Sequence, residues 1–201
     1  MPFPVSAFCR HGDFIPQQES MYHLSKITLQ GIDVICGWRR RTVTKPTEQL
    51  EKARKYESLS KDNINQEDRP LFHLTPYIGW MNDPNGFCFY QGKYHLFYQY
   101  HPYSRDWGPM HWGHAESADL LHWTYLPCAL APDTPADQGG CFSGSAVPLP
   151  DGRLMLVYTG VQETQENGKA IQAQCIAFGN GTDFEKYPHN PVVSAADLPE
   201  G

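Results

Sequence analysis

No run of apolar residues in this 201-residue chain approaches the roughly 20 needed to cross a bilayer as a helix, which excludes a membrane span of that kind. Met1 to Arg10 is interrupted by proline and charge before any secretory-type apolar segment develops, and no signal peptide is read there. Positive charge is also scarce. The 16 Lys and Arg stand against 22 Asp and Glu, a net charge of −6, whereas a phosphate backbone needs a concentrated basic face to hold it. A nucleic-acid partner is therefore excluded, and the short cluster Arg39-Arg40-Arg41 with Lys45 reads as a solvated linker. The 6 cysteines lie far apart with no C-x-x-C pair, which removes zinc ribbons and dithiol redox centres. Reduced, mostly buried thiols in a cytoplasm are the expectation that remains. His95, His101, His111, His114 and His122 show no H-E-x-x-H spacing, so neither a metal nor a cofactor is expected.

What is present falls into three parts. Residues 1–45 show no sustained periodicity beyond a short candidate strand at Lys26 to Cys36, and read as an extension. Residues 46–69 read as a helix and a polar linker. Thr47 caps a helix running to about Ser60, Glu48 and Glu51 occupy its first turn, Glu48/Lys52 and Glu51/Lys55 are i,i+4 pairs, and Leu50, Ala53 and Leu59 form a sparse apolar stripe. From residue 70 to 201 the composition changes to short β-rich runs punctuated by Gly, Pro, Asn and Asp, the pattern of an all-β domain. Phe87-Cys88-Phe89-Tyr90, Gly92 and Tyr94 to Tyr100 read as a hairpin.

The hairpin unit recurs. Gly92-Lys93-Tyr94-His95-Leu96-Phe97-Tyr98 matches Gly152-Arg153-Leu154-Met155-Leu156-Val157-Tyr158, 60 residues further on, and Asp119-Leu120-Leu121-His122-Trp123 matches Asp183-Phe184-Glu185-Lys186-Tyr187. A repeat of this length with several strands per copy fits the blades of a β-propeller, four-stranded sheets around an axis. Two complete copies are visible, and a ring needs at least ~4 blades to close. The chain therefore reads as an incomplete N-terminal part of a larger fold.

The segment Trp80-Met81-Asn82-Asp83-Pro84-Asn85-Gly86 carries the chemistry. Asp83 to Gly86 is first a turn signal, because Pro presets φ, Gly accepts φ > 0, and Asp and Asn bond their own backbone. A turn needs neither the indole of Trp80 nor the amide of Asn82, and a carboxylate beside an indole is what a sugar-cleaving site requires. The repeat supplies an independent pointer: the position 60 residues after Asp83 is Ser143, so the two should sit on corresponding inner strands and face one funnel. The remaining acids have plainer readings. Asp106 reads as a turn residue, Asp119 as turn chemistry common to the repeats, and Asp133 and Asp137, flanking Pro135, as solvated loop residues.

Trp80 to Gly86 resembles the nucleophile motif of glycoside hydrolase family 32, the invertases, fructanases and sucrose-6-phosphate hydrolases. Further segments agree in order: Phe97-Tyr98-Gln99-Tyr100-His101-Pro102, Trp107-Gly108-Pro109-Met110-His111-Trp112-Gly113-His114, Ser117-Ala118-Asp119-Leu120-Leu121-His122-Trp123 and Phe142-Ser143-Gly144-Ser145-Ala146. The resemblance runs from about Leu71 to the end. It implies a five-bladed propeller, of which this chain holds about two blades and the start of a third, preceded by a short helix. It also implies retaining hydrolysis of a β-fructofuranoside, sucrose or sucrose 6-phosphate, through a covalent fructosyl-Asp. Asp83 matches the nucleophile. Asn82 and Gln99 match residues that hold fructose hydroxyls or orient the carboxylate, Trp80 and Trp107 match apolar walls, and Phe142 and Ser143 match substrate contacts. The family's later Arg-Asp-Pro and Glu-Cys motifs, which carry the transition-state Asp and the acid/base Glu, do not occur in these residues. A catalytically incompetent fragment or sugar-binding remnant is therefore the alternative for the 201-residue chain, and fructosyl transfer is the rival reaction.

Overall fold

In the computed structural model, residues 45–166 and 169–198 are described; the candidate strand at Lys26 to Cys36, with Cys9 and Cys36, lies outside them. Thr47 begins the first element. Its hydroxyl accepts a hydrogen bond from the Leu50 N–H (3.3 Å), capping helix α1, Glu48–Ser60. Leu50 and Ala53 are buried, but the third buried position is Glu57, and Leu59 is 70% exposed. The reason is angular: Glu57 lies about two turns beyond Leu50 and shares its face, while Leu59 lies about two and a half turns beyond and points away. The acidic first turn is also used differently from the i,i+4 expectation. Glu51 meets Lys45 (3.5 Å), and Lys52 lies over the ring of Tyr103 (5.4 Å).

From Trp80 the chain forms two four-stranded antiparallel sheets. The first is ordered β1 (Trp80–Tyr90), β2 (Lys93–His101), β3 (His111–Ser117), β4 (Trp123–Leu130), and the second β5 (Gly140–Pro148), β6 (Leu154–Glu166), β7 (Lys169–Gly179), β8 (Phe184–Lys186). Each is a simple meander, which leaves β1 and β5 as edge strands. The β1–β2 hairpin turns through Gln91 (φ 49°) and Gly92 (φ 82°), both left-handed, as a two-residue turn matching the strand twist requires. Pro84 pairs with Tyr98 and Gly144 with Tyr158, so the inner strands correspond at the spacing read from the sequence.

The second sequence match shifts in register. Trp123 opens β4 and Phe184 opens β8, so those two positions correspond. The equivalent of Asp119 is then Asn180: Asp119 Oδ1 accepts from the N–H groups of Leu121 and His122 (2.9 and 2.8 Å), and Asn180 Oδ1 from those of Thr182 and Asp183 (3.0 and 2.9 Å). The turn chemistry is common to both repeats, but the residue carrying it is an Asp in one and an Asn in the other.

Alternation along the strands assigns the packing. Phe97 and Trp112 of the first sheet meet Leu154, Leu156, Tyr158 and Phe184 of the second in a shared core, with Phe97 edge-on to Phe184 (ring centroids 5.6 Å apart). Tyr98 and Tyr100 point to the other face, where Leu50 and Ala53 of α1 cover them together with Ile78 and Cys128. The helix also straps the two sheets together. Arg54 donates from Nε to the Cys128 carbonyl (2.9 Å) and pairs through Nη1 with Asp183 (2.7 Å), while Thr47 donates to Asp133. Replacing Thr47 by Ala removes both the cap and this bond. The expected loss is about 1–2 kcal/mol, read as a fall of roughly 2–8 °C in the midpoint of a thermal melt.

Asp133 and Asp137 are not solvated. Asp137 is fully buried and bonds Lys186 (2.6 Å), the Tyr158 hydroxyl (2.8 Å) and the N–H groups of Asp133 and Thr134. Asp133 also receives Lys186. A Pro-containing segment between sheets reads as a loop in sequence, but the cation that makes its burial possible lies on β8.

Candidate active site

Asp83 lies on β1, where two ladder irregularities, Met81 to Pro84 and Asn85 to Cys88, break the regular pairing with β2. The turn signal of the sequence is thus expressed as an irregular edge strand. Proline is tolerated at an edge, and bulges re-aim the side chains they carry. Gly86 takes φ +51°, and a Cβ there would stand 2.9 Å from the Phe97 ring and 3.1 Å from Ala146, so the close approach of β1 to β5 needs glycine.

β5 has an irregularity in the corresponding place, between Phe142 and Gly144. At the two irregularities the strands meet: Ser143 Oγ donates to Asp83 Oδ2 at 3.0 Å, with both side chains exposed. Beside Asp83, the indole N–H of Trp80 donates to Asn82 Oδ1 (3.1 Å). Beside Ser143, the half-buried Phe142 stands edge-on to Trp107 (6.4 Å, 88°), a loop residue that is 59% exposed. Trp80, Asn82, Asp83, Ser143, Phe142 and Trp107 thus form one connected surface of a carboxylate, a hydroxyl, an amide and three aromatic rings.

Gln99 is placed apart from this surface. It is 2% exposed, and its Nε2 donates to the Cys141 carbonyl at 2.9 Å. The structure thus gives Gln99 a backbone partner behind the site. Asn85 and Trp112 were not singled out from sequence, and both are also buried behind the site. Strand alternation would send Asn85 to the same side as Asp83, but Asp83 falls within the irregularity between Met81 and Pro84, whereas Asn85 is back in the ladder opposite Phe97.

A thiol is a poor candidate for the reacting group. Burial pushes Cys88, on β1, up to about 11, and Cys141 is also raised well above the usual thiol range by its burial, so neither supplies a thiolate near neutral pH. Among the described residues no group of three or more His, Cys, Asp or Glu could hold a metal ion. Asp119 is occupied elsewhere, its carboxyl held below the ordinary range by His122 and by the backbone N–H groups of the turn. Asp83 is the exposed carboxylate of this surface.

Two four-stranded meander sheets fit blades of a β-propeller, and a carboxylate and a hydroxyl on one aromatic-walled surface fit the chemistry of a sugar. Comparison with known proteins makes this specific. The family described as Glycosyl hydrolases family 32 N-terminal domain matches residues 73–200. A sucrose-6-phosphate hydrolase of Zymomonas mobilis is 49% identical over 140 residues, covering 68% of this chain and 27% of that protein. An acid beta-fructofuranosidase 1, vacuolar, of a Rosa hybrid cultivar is 37% identical over 191 residues, covering 90% of this chain and 32% of that protein. Among solved structures, a Bombyx mori GH32 beta-fructofuranosidase mutant in complex with sucrose is similar with a TM-score of 0.68 at 45% identity, covering 75% of this chain and 32% of that one. The chain belongs to glycosyl hydrolase family 32, and it spans 27% to 32% of the length of these relatives.

Proposed function

We propose that the whole protein is a retaining β-fructofuranosidase acting on sucrose or sucrose 6-phosphate, with Asp83 as its nucleophile. The observation that carries this reading is the hydrogen bond from Ser143 to Asp83 (3.0 Å) on paired irregularities of two edge strands. That bond holds one carboxylate oxygen and leaves the other to attack. In the first step the Asp83 oxygen bonds to the anomeric carbon of the fructosyl unit, the glycosidic bond breaks, and the leaving glucosyl oxygen takes a proton from a second carboxyl about 5–5.5 Å away. In the second, water attacks the fructosyl ester, gives a proton back to that carboxylate and frees Asp83.

Asn82, with its Oδ1 engaged by Trp80, turns its amide NH2 to a fructose hydroxyl, and Trp80, Trp107 and Phe142 offer ring faces and edges to the apolar side of the sugar. The second carboxyl belongs to the remainder of a five-bladed ring in which the two sheets here are successive blades. We place the enzyme in the cytoplasm, a reading supported by Cys88, Cys128, Cys141 and Cys175, all free and buried.

The test is sucrose or sucrose 6-phosphate cleavage by the whole protein in the presence of methanol, followed by NMR. Retention predicts methyl β-fructofuranoside as the fructosyl product. The α-anomer, or no cleavage of either sugar, would overturn the reading. Kestose-type trisaccharides dominating at high sucrose would assign fructosyl transfer as the main reaction.

A further inference from the structure

The backbone of β5 around Ser143 is held by side chains of the other sheet. Gln99 Nε2, from β2, donates to the Cys141 carbonyl (2.9 Å). Trp112 Nε1, from β3, donates to the Phe142 carbonyl (3.1 Å). Asn85 Oδ1, from β1, accepts from the Gly144 N–H (3.4 Å). Backbone adds a fourth tie, the Cys141 N–H donating to the Met110 carbonyl (2.8 Å). Three strands of the first sheet therefore each contribute one side chain, at positions on both sides of Ser143, and all three are 3% exposed or less.

The physical need for such ties follows from the irregularity itself. β5 is an edge strand, and the interruption between Phe142 and Gly144 takes its backbone out of regular pairing with β6. Buried carbonyl and N–H groups left that way must find partners elsewhere. Their partners here come from the sheet that carries Asp83, so satisfying the backbone also fixes the position of Ser143 relative to Asp83.

We infer that Gln99, Trp112 and Asn85 are positioning residues that hold β5 in register so that the Ser143 hydroxyl meets Asp83. Gln99 then serves the site from behind. The purpose of this clamp rests on the reading of Asp83 and Ser143 as parts of a fructoside site, but the clamp itself can be measured without activity.

The test uses Trp112→Phe, which keeps the ring and removes the N–H, and Gln99→Met, which keeps the length and removes the donor. NMR amide hydrogen exchange is followed at Ser143 and Gly144, and fructose affinity is titrated in parallel. Each variant is expected to speed exchange at Gly144 and to weaken fructose binding, both by about 10-fold. In a Ser143→Ala background neither variant should weaken binding further, because the contact being positioned is already gone. Thr124→Val, at an exposed position of β4 that pairs with Glu116, should leave both readouts unchanged. Unaltered exchange at Ser143 and Gly144, or losses of affinity that simply add to that of Ser143→Ala, would overturn the inference. Should Trp112→Phe fail to fold, Gln99→Met, on another strand, carries the same readouts. If the unaltered protein binds no fructose, it is the fructosidase reading that fails, and the exchange rates still decide the clamp.

Discussion

Replacing Asp83 by Asn in the whole protein is expected, on the proposed fructosidase reading, to lower kcat by roughly 10⁴-fold or more, the scale seen when a covalent nucleophile is removed. The amide has the same shape but cannot form the fructosyl ester, so the step itself is lost. Stability should change little, within about 0.5 kcal/mol, as for exposed substitutions generally, since Asp83 is exposed and an amide oxygen can still accept from Ser143. The pairing of a near-complete kinetic loss with an unchanged melt is what identifies a reacting group. Asp106→Asn supplies the comparison: Asp106 is exposed in a turn where its N–H donates to Ser104 Oγ (3.1 Å), and its replacement should leave turnover within about twofold, a change of roughly 0.4 kcal/mol. Retained sucrose cleavage in Asp83→Asn would remove the nucleophile assignment.

The second large effect concerns stability and pH. Glu57 is 3% exposed on the inner face of α1, accepting from the Cys128 N–H (3.0 Å). Burial penalises its charged form and pushes its pKa up from 4.5 to about 7, against the opposing pull of the Cys128 N–H and of Arg54. Tyr98, Tyr100 and Cys128 face it, all of them neutral near pH 7 because burial raises each of them.

An acid whose folded pKa lies above its unfolded value keeps its proton longer in the folded state. The stability it contributes is therefore full below about pH 4.5 and is lost as pH rises to about 7. At about 1.4 kcal/mol for each pKa unit, the change across that window is on the order of 3 kcal/mol. Glu57→Gln keeps an acceptor for Cys128 and carries no charge. It should flatten the pH dependence of the denaturant midpoint between pH 4.5 and 7 and make the protein more stable than the parent at pH 8, by up to about 3 kcal/mol. A variant less stable than the parent at pH 8 would mean that the attraction of the Arg54 charge and the hydrogen bonds to the carboxylate outweigh the burial.

Much of the site was legible because its residues are close in sequence or recur at a fixed spacing. Trp80, Asn82 and Asp83 share one strand, and the repeat that aligns Gly92 with Gly152 also aligns Asp83 with Ser143. What sequence reasoning mistook were positions whose partners are remote. Asp137 was expected in solvent because Lys186, which neutralises it, lies on another strand. Leu59 was expected in the core because an apolar residue was given priority over the angle at which the helix presents it. Gln99, matched by resemblance to residues that hold fructose hydroxyls or orient the carboxylate, has in addition a backbone partner on the next sheet that no local pattern announces. Asn85 and Trp112 gave no signal, since a single buried amide or indole in a strand resembles ordinary packing.

The sequence by itself determined the all-β character, the repeating unit, the capped helix and the spacing that relates Asp83 to Ser143, because each follows from short-range periodicity, turn chemistry or spacing along the chain. Only the tertiary structure decided that irregularities in two edge strands coincide, that Ser143 therefore reaches Asp83, and that buried side chains of one sheet hold the backbone of the other. Those facts depend on how backbone groups left unpaired by one strand are satisfied by another, and the identity of that other strand is set by packing across the sheets.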